Sequence, residues 1–101
     1  MKSIQTISLS CTVMQSEGNI VSDMEGEKVM MSVSNNKYYN LGVMGGEIWE
    51  MAQSATSVKH IVANLMSVYE VEEKICEKEV LSFLNVLYKE GLIHVQDEAH
   101  S

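Results

Sequence analysis

The chain has 101 residues, 46% of them apolar and 21% charged, which suits one domain with a real hydrophobic core. Its 7 Lys and Arg against 14 Asp and Glu leave a net charge of −7, a sign that repels phosphate backbones and makes nucleic acid a poor partner, although the same charge also serves plain solubility. No apolar stretch approaches the ~20 residues of a membrane span. The first residues lack the charged and apolar regions of a signal peptide, so a cytoplasmic protein with no membrane partner is expected.

Residues 4–14 alternate, with Ile7, Leu9, Cys11 and Val13 on one side and Ser8, Ser10 and Thr12 on the other, the period-two pattern of a strand. Turn residues at 15–19 break it. Strands are expected over 20–24 and 28–34, joined by Glu25-Gly26 as a two-residue hairpin that sets Asp23 opposite Lys28. Asn35-Asn36 predicts a second tight hairpin into a strand over 37–41, since Asn tolerates the left-handed region. The result is an antiparallel three-stranded meander, or a four-stranded one if the first strand joins it. In this register one face carries Ile20, Met24, Val29, Met31, Val33 and Tyr38. The other carries Val21, Met30, Tyr39 and Leu41 beside Asp23, Lys28 and Ser32. The first is the more apolar and is expected to face the core, unless a one-residue bulge exchanges the two.

After Gly45-Gly46 the period becomes helical, with Ile48, Trp49 and Ala52 on a short face. Polar residues at 54–57 end it, and Thr56 is placed to cap a second helix whose face is Val58, Ile61, Val62 and Leu65. A third helix is predicted over about 72–90, with Gly91 as its stop. Its apolar positions, from Ile75 and Cys76 through Phe83 and Val86 to Tyr88, form a stripe wider than one contact surface needs. Residues 92–95 fit a short strand or an extended cover. The domain is expected to span 1–95, with 96–101 a frayed acidic tail. Strands followed by three helices make an α+β plan, compatible with a winged helix-turn-helix shape.

Enzyme chemistry finds no constellation. His60, His94 and His100 lack neighbouring ligands at metal spacing. Cys11 and Cys76 sit at apolar positions, where thiols are usually inert and, in a reducing compartment, free. Gly45-Gly46 has no accompanying Lys or longer glycine pattern, which makes it a weak anion-site signal beside close backbone packing. No metal or cofactor is expected. DNA binding is disfavoured at the helix that would enter a groove: residues 70–79 hold five Glu and two Lys, and the chain has no Arg, which removes the commonest guanine contact.

Recognition remains. The segment Tyr38-Tyr39-Asn40-Leu41 closes the meander and is expected at its edge, with only Lys37 to protect it. An open edge beside a broad helical stripe suits strand addition by a peptide. The competing reading makes the tyrosines and the stripe simply core.

The block from Gly18-Asn19-Ile20-Val21-Ser22-Asp23-Met24 to Gly42-Val43-Met44-Gly45-Gly46-Glu47-Ile48-Trp49 resembles the PqqD family, with its hydrophobic strand, turn, Tyr-Tyr-x-Leu strand, Gly and Ile-Trp helix start. Glu79-Val80-x-x-Phe83-Leu84-x-x-Leu87 and Gly91-Leu92-Ile93 extend the likeness, which covers about residues 18–95. Glu79 stands where Asp is common, and Asn36 where Gly is common. Within the family, the segments around Asp23 and Tyr39 are most similar to small stand-alone proteins of lasso peptide clusters. The resemblance implies a winged-helix RiPP recognition element that binds the leader of a precursor peptide and does no chemistry. The leader is implied to lie as an added strand on the tyrosine strand, against the third helix. Implied contacts are Val33, Tyr38, Tyr39, Asn40 and Leu41 from the strands, and the helix side with Cys76, Val80, Leu84 and Leu87. Lys74 and Lys78 are placed to meet acidic leader residues. Implied partners are a cysteine-type leader peptidase and an ATP-dependent macrocyclase. The alternatives are an accessory subunit in quinone cofactor or other modified-peptide biosynthesis, and an adaptor that binds only the partner enzymes.

Overall fold

A computed structural model describes residues 7–97 of the chain. Two three-stranded sheets and three helices share one core. The first sheet has β1 (Cys11–Gln15) between β5 (Thr56–Ser57) and β6 (Ile93–Asp97). The second is the meander of β2 (Asn19–Met24), β3 (Glu27–Ser32) and β4 (Lys37–Leu41). The helices are α1 (Gly42–Met51), α2 (Val58–Val68) and α3 (Glu73–Lys89). The architecture is α+β, with the meander as the wing of a winged helix-turn-helix arrangement.

The strand expected over 4–14 is shorter, and its first residues lie outside the described ones. It does not join the meander. Cys11 and Val13 are buried, and β1 pairs with β6 from Cys11↔Asp97 to Gln15↔Ile93. The amides of Gln15 and Ser16 donate to the carbonyls of Ala52 (2.7 Å) and Leu92 (2.9 Å), so the end of β1, the approach to β6 and the end of α1 meet there. Gln96 and Asp97, assigned to a frayed tail by their polarity, belong to β6. Pairing with β1 gives their backbones partners that composition does not reveal.

The first hairpin has the expected register, with Met24↔Glu27 and Asp23↔Lys28 opposed and Glu25 and Gly26 at φ 57° and 89°. The second loop holds four residues, not two: Ser32 opposes Lys37. Inside it the Asn35 amide donates to Ser32 Oγ (3.2 Å), the Asn36 amide donates to the Ser32 carbonyl (2.8 Å), and Asn36 takes φ 56°. The register therefore moves by two residues, an even number, and the faces stay as read.

Which face turns inward is the reverse of the expectation. Met30 is fully buried, as is Ser32. Ile20, Met24, Val33 and Tyr38 are 58%, 57%, 58% and 74% exposed. The inner face tolerates its polar members because each is satisfied in place. Lys28 lies along Gly46 of α1 and ends in ion pairs with Glu50 (3.0 Å) and Asp23 (3.4 Å). These contacts hold the Lys28 ammonium above its usual pKa, chiefly through the hydrogen bonds to Glu50 and Asp23.

Helix α1 starts at Gly42, so Gly45 and Gly46 lie inside it, not before it. The Gly42 amide is capped by Asn40 Oδ1 at 3.0 Å. Ser57, not Thr56, caps α2, accepting from the His60 amide at 3.0 Å; Thr56 is in β5. At the end of α3, Gly91 takes φ 78°, with Gly91 N–H to the Tyr88 carbonyl (3.0 Å) and Leu92 N–H to the Leu87 carbonyl (2.8 Å). This paired closure turns the chain back toward β6. Val58, Ile61, Val62 and Leu65 of α2 form its buried face as predicted.

Candidate functional site

Strand β4 is an edge: its ladder partner is β3 on one side, and the sheet order ends with it. Its side chains alternate. Tyr38 and Asn40 project outward and are exposed. Leu41 is buried in the core, and Tyr39 is half-buried against it. The inner side of β4 is tied to the last turn of α3. The Tyr39 hydroxyl donates to Glu90 Oε1 at 2.8 Å. Asn35 Nδ2 donates to that hydroxyl (3.0 Å) and to the Glu90 carbonyl (2.9 Å). Lys37 Nζ stands 3.5 Å from Glu90 Oε1. The Tyr39 hydrogen bond, then the Lys37 charge, hold the Glu90 carboxyl below the usual carboxylate range.

Glycine closes the other end. A Cβ on Gly45 would lie 2.9 Å from the Phe83 ring atoms, so only Gly lets α1 approach this part of α3. Phe83, Val86 and Glu90 follow spacings of three and four residues and share one stripe of α3. Phe83 meets α1 and Glu90 meets β4, which puts Val86, 54% exposed, on the flank beside the open strand. The edge of β4 and this stripe thus form one continuous surface: a row of backbone groups next to an aromatic ring and an aliphatic side chain.

The residues chosen from the sequence divide. Tyr38, Tyr39, Asn40 and Leu41 are all on β4, but Leu41 faces the core. Val33 lies in the loop after β3 and is exposed on the sheet's outer face, away from α3. Cys76, Val80, Leu84 and Leu87 are the buried face of α3, packed in the core and not on the flank beside β4. Lys74 and Lys78 are exposed on the stripe that leads, at helical spacing, to Asn85. Asn85 accepts from the Ile7 amide through Oδ1 at 3.2 Å, so that stripe flanks the N-terminal segment rather than β4. Phe83 and Val86, which were not among the residues chosen from the sequence, are α3 side chains on the flank beside β4. The signal for them was the excess width of the α3 stripe: four positions fill the core, and the surplus on one flank is Phe83 and Val86, with the exposed Ile75 on the same side nearer the start of the helix.

Elsewhere, α2 and the start of α3 enclose a concavity of about 660 Å³, lined by Leu9, Lys59, His60, Val62, Met66 and Glu77 among others. It lies on a different flank of α3. Both cysteines are free and buried, and burial pushes the Cys76 thiol above its usual pKa. Among the described residues no group of three or more His, Cys, Asp or Glu is placed to hold a metal ion. No described helix is long and apolar enough to cross a membrane.

Solved structures of the same fold exist. TbiB1 in complex with the TbiA(β) leader peptide is 21% identical, with a TM-score of 0.72, covering 80% of this chain and 94% of that one. The solution NMR structure of the PqqD truncation of Methylobacterium extorquens PqqCD, described as a functional stand-alone RiPP recognition element, is 16% identical. Its TM-score is 0.75, with 89% of this chain and 96% of that one covered. No curated protein sequence matches the chain. The family described as coenzyme PQQ synthesis protein D (PqqD) matches residues 27–93, from the start of β3 to the start of β6. That match takes in the open strand, the glycine helix and the whole of α3, and on it this chain belongs to the PqqD family.

Proposed function

We propose that this chain is a non-catalytic peptide-binding protein that captures the leader of a ribosomally made precursor as a strand added to β4. The observation that carries this is the open β4 edge beside Phe83 and Val86 of α3. Backbone pairing supplies affinity there, and alternate leader side chains fall against the α3 flank. The TbiB1 complex, whose solved partner is a leader peptide, supports the same reading. The leader is of the lasso type, and the bound precursor passes in the cytoplasm to a cysteine-type leader peptidase and an ATP-dependent macrocyclase. The contact set is Tyr38, Tyr39 and Asn40 with Phe83 and Val86. It replaces the helix residues expected from the sequence.

Fluorescence polarisation with the labelled leader of the precursor encoded beside this chain tests the proposal. Saturable binding that survives an excess of a scrambled leader is expected; no binding to that leader would sink it. Turnover of the precursor by the purified chain alone would contradict the non-catalytic part. The family's description as a coenzyme PQQ synthesis protein favours one second reading, an accessory role in quinone cofactor biosynthesis. Preference for a quinone-cofactor precursor over a lasso leader in the same assay would select it.

A further inference from the structure

The outer face of the meander is a surface that strand addition at the β4 edge leaves mostly unused. Ile20, Met31 and Tyr38 are directly opposed across the three strands, and form a continuous apolar row. Ile20 and Tyr38 are more than half exposed, as are Met24 and Val33 at the ends of the patch. Among the described residues no helix covers this face: α1 packs on the opposite side of β3, against Lys28. Apolar surface that is contiguous rather than scattered marks an interaction site.

Charge decides what fits it. Glu27 opposes Met24 and is therefore on this face, with Glu25 exposed at the adjoining turn. The two lysines of the meander are both turned inward, Lys28 to Asp23 and Glu50 and Lys37 to Glu90. Among the described residues the patch is thus apolar with an acidic end and no cation of the meander on it. A second copy of the chain would bring Glu27 against an equally acidic face, and each copy carries a net charge of −7. An anionic membrane is repelled for the same reason. A protein surface that is apolar at its centre and rimmed by Lys and Arg is complementary.

We propose that the outer face of β2, β3 and β4 is the docking surface for a peptide-processing enzyme, through an apolar patch rimmed by basic residues. The proposal rests on the leader-binding reading for the nature of its partner; the two surfaces meet at Tyr38, but Ile20, Met24 and Met31 lie on β2 and β3, off the strand that takes the leader. Docking here leaves the α3 flank of β4 free for the leader.

Biolayer interferometry of the full chain against the leader peptidase and the macrocyclase encoded with it tests this, with leader polarisation run on the same samples. The double variant Ile20→Ser/Met24→Ser is expected to weaken binding of one enzyme by about tenfold or more, with the leader Kd unchanged. Glu27→Lys, at an exposed position that carries no packing, is expected to weaken it by about threefold and flatten its salt dependence. Neither enzyme binding a chain that binds leader would overturn the docking surface and leave the leader reading intact. Enzyme binding insensitive to both variants would overturn it too. So would a dimer, seen by sedimentation, that the double variant dissociates. Enzyme binding lost in the variants, from a chain that never binds leader, would uphold this surface and defeat the leader reading.

Discussion

The Tyr39 hydroxyl donates to Glu90 Oε1 at 2.8 Å across 51 residues of sequence, and this contact fastens the open strand to the end of α3. It is also the largest cause of the lowered Glu90 pKa. A carboxyl whose folded pKa is depressed contributes stability above its unfolded pKa, and that contribution is lost as pH falls through the folded value. Tyr39→Phe is therefore expected to lower the urea midpoint at neutral pH, and the gap from wild type should narrow as pH falls below the usual carboxylate range and through the depressed folded value. A gap that is unchanged at low pH would place the loss in packing instead.

Two substitutions on α3 separate core from binding flank. Leu84→Ala, at a fully buried position, is expected to cost about 2–5 kcal/mol in chemical denaturation. Val86→Asp, more than half exposed, should change stability by only about 0.5 kcal/mol yet weaken leader binding by about tenfold or more. If Val86→Asp binds leader normally, the peptide does not use this flank.

Glycine at 45 and 46 is required by close approach, since neither residue has positive φ. Gly45→Ala drives a methyl into the Phe83 ring, and Gly46→Ala drives one into the base of the Lys28 side chain. Overpacking of this kind costs about 1–3 kcal/mol, against the helix-propensity gain of about 1 kcal/mol from replacing Gly by Ala. Both variants are expected to be less stable than wild type in thermal unfolding, although propensity alone says the reverse. Gly45→Ala should also weaken leader binding, because Phe83 must move.

Strand addition makes a prediction that no side-chain variant can test. Along an added strand, alternate amides point toward β4. Leader peptides N-methylated at every second residue, in the two possible phases, should differ: one phase loses binding and the other keeps most of it. Equal loss in both phases would argue against strand pairing.

Cys11 and Cys76 are expected to resist alkylation in the folded chain at about pH 8 and to react fully in denaturant. Both are buried, and the Cys76 thiol is also held protonated by burial. Rapid labelling of either thiol under native conditions, read by mass spectrometry, would show that the core opens locally.

Much of this protein was written into its sequence. Period-two and period-3.6 patterns located the meander strands and the three helices. Glu25-Gly26 fixed the first hairpin's register, and Gly91 marked the end of α3. The tyrosine strand was recognisable as an edge because it closes the meander and carries one charge. These are local properties, set by backbone preferences over a few residues. Tertiary structure alone decided the rest. Burial on the meander depends on what packs against it. The more polar face turned inward because Glu50 of α1 and Asp23 of β2 partner Lys28, the Asn35 amide of the second loop partners Ser32, and Glu90 at the end of α3 partners Tyr39. The rotation of α3 followed from the same packing. It committed Cys76, Val80, Leu84 and Leu87 to the core and left Phe83 and Val86 beside β4, a choice that a stripe of uniformly apolar residues does not encode.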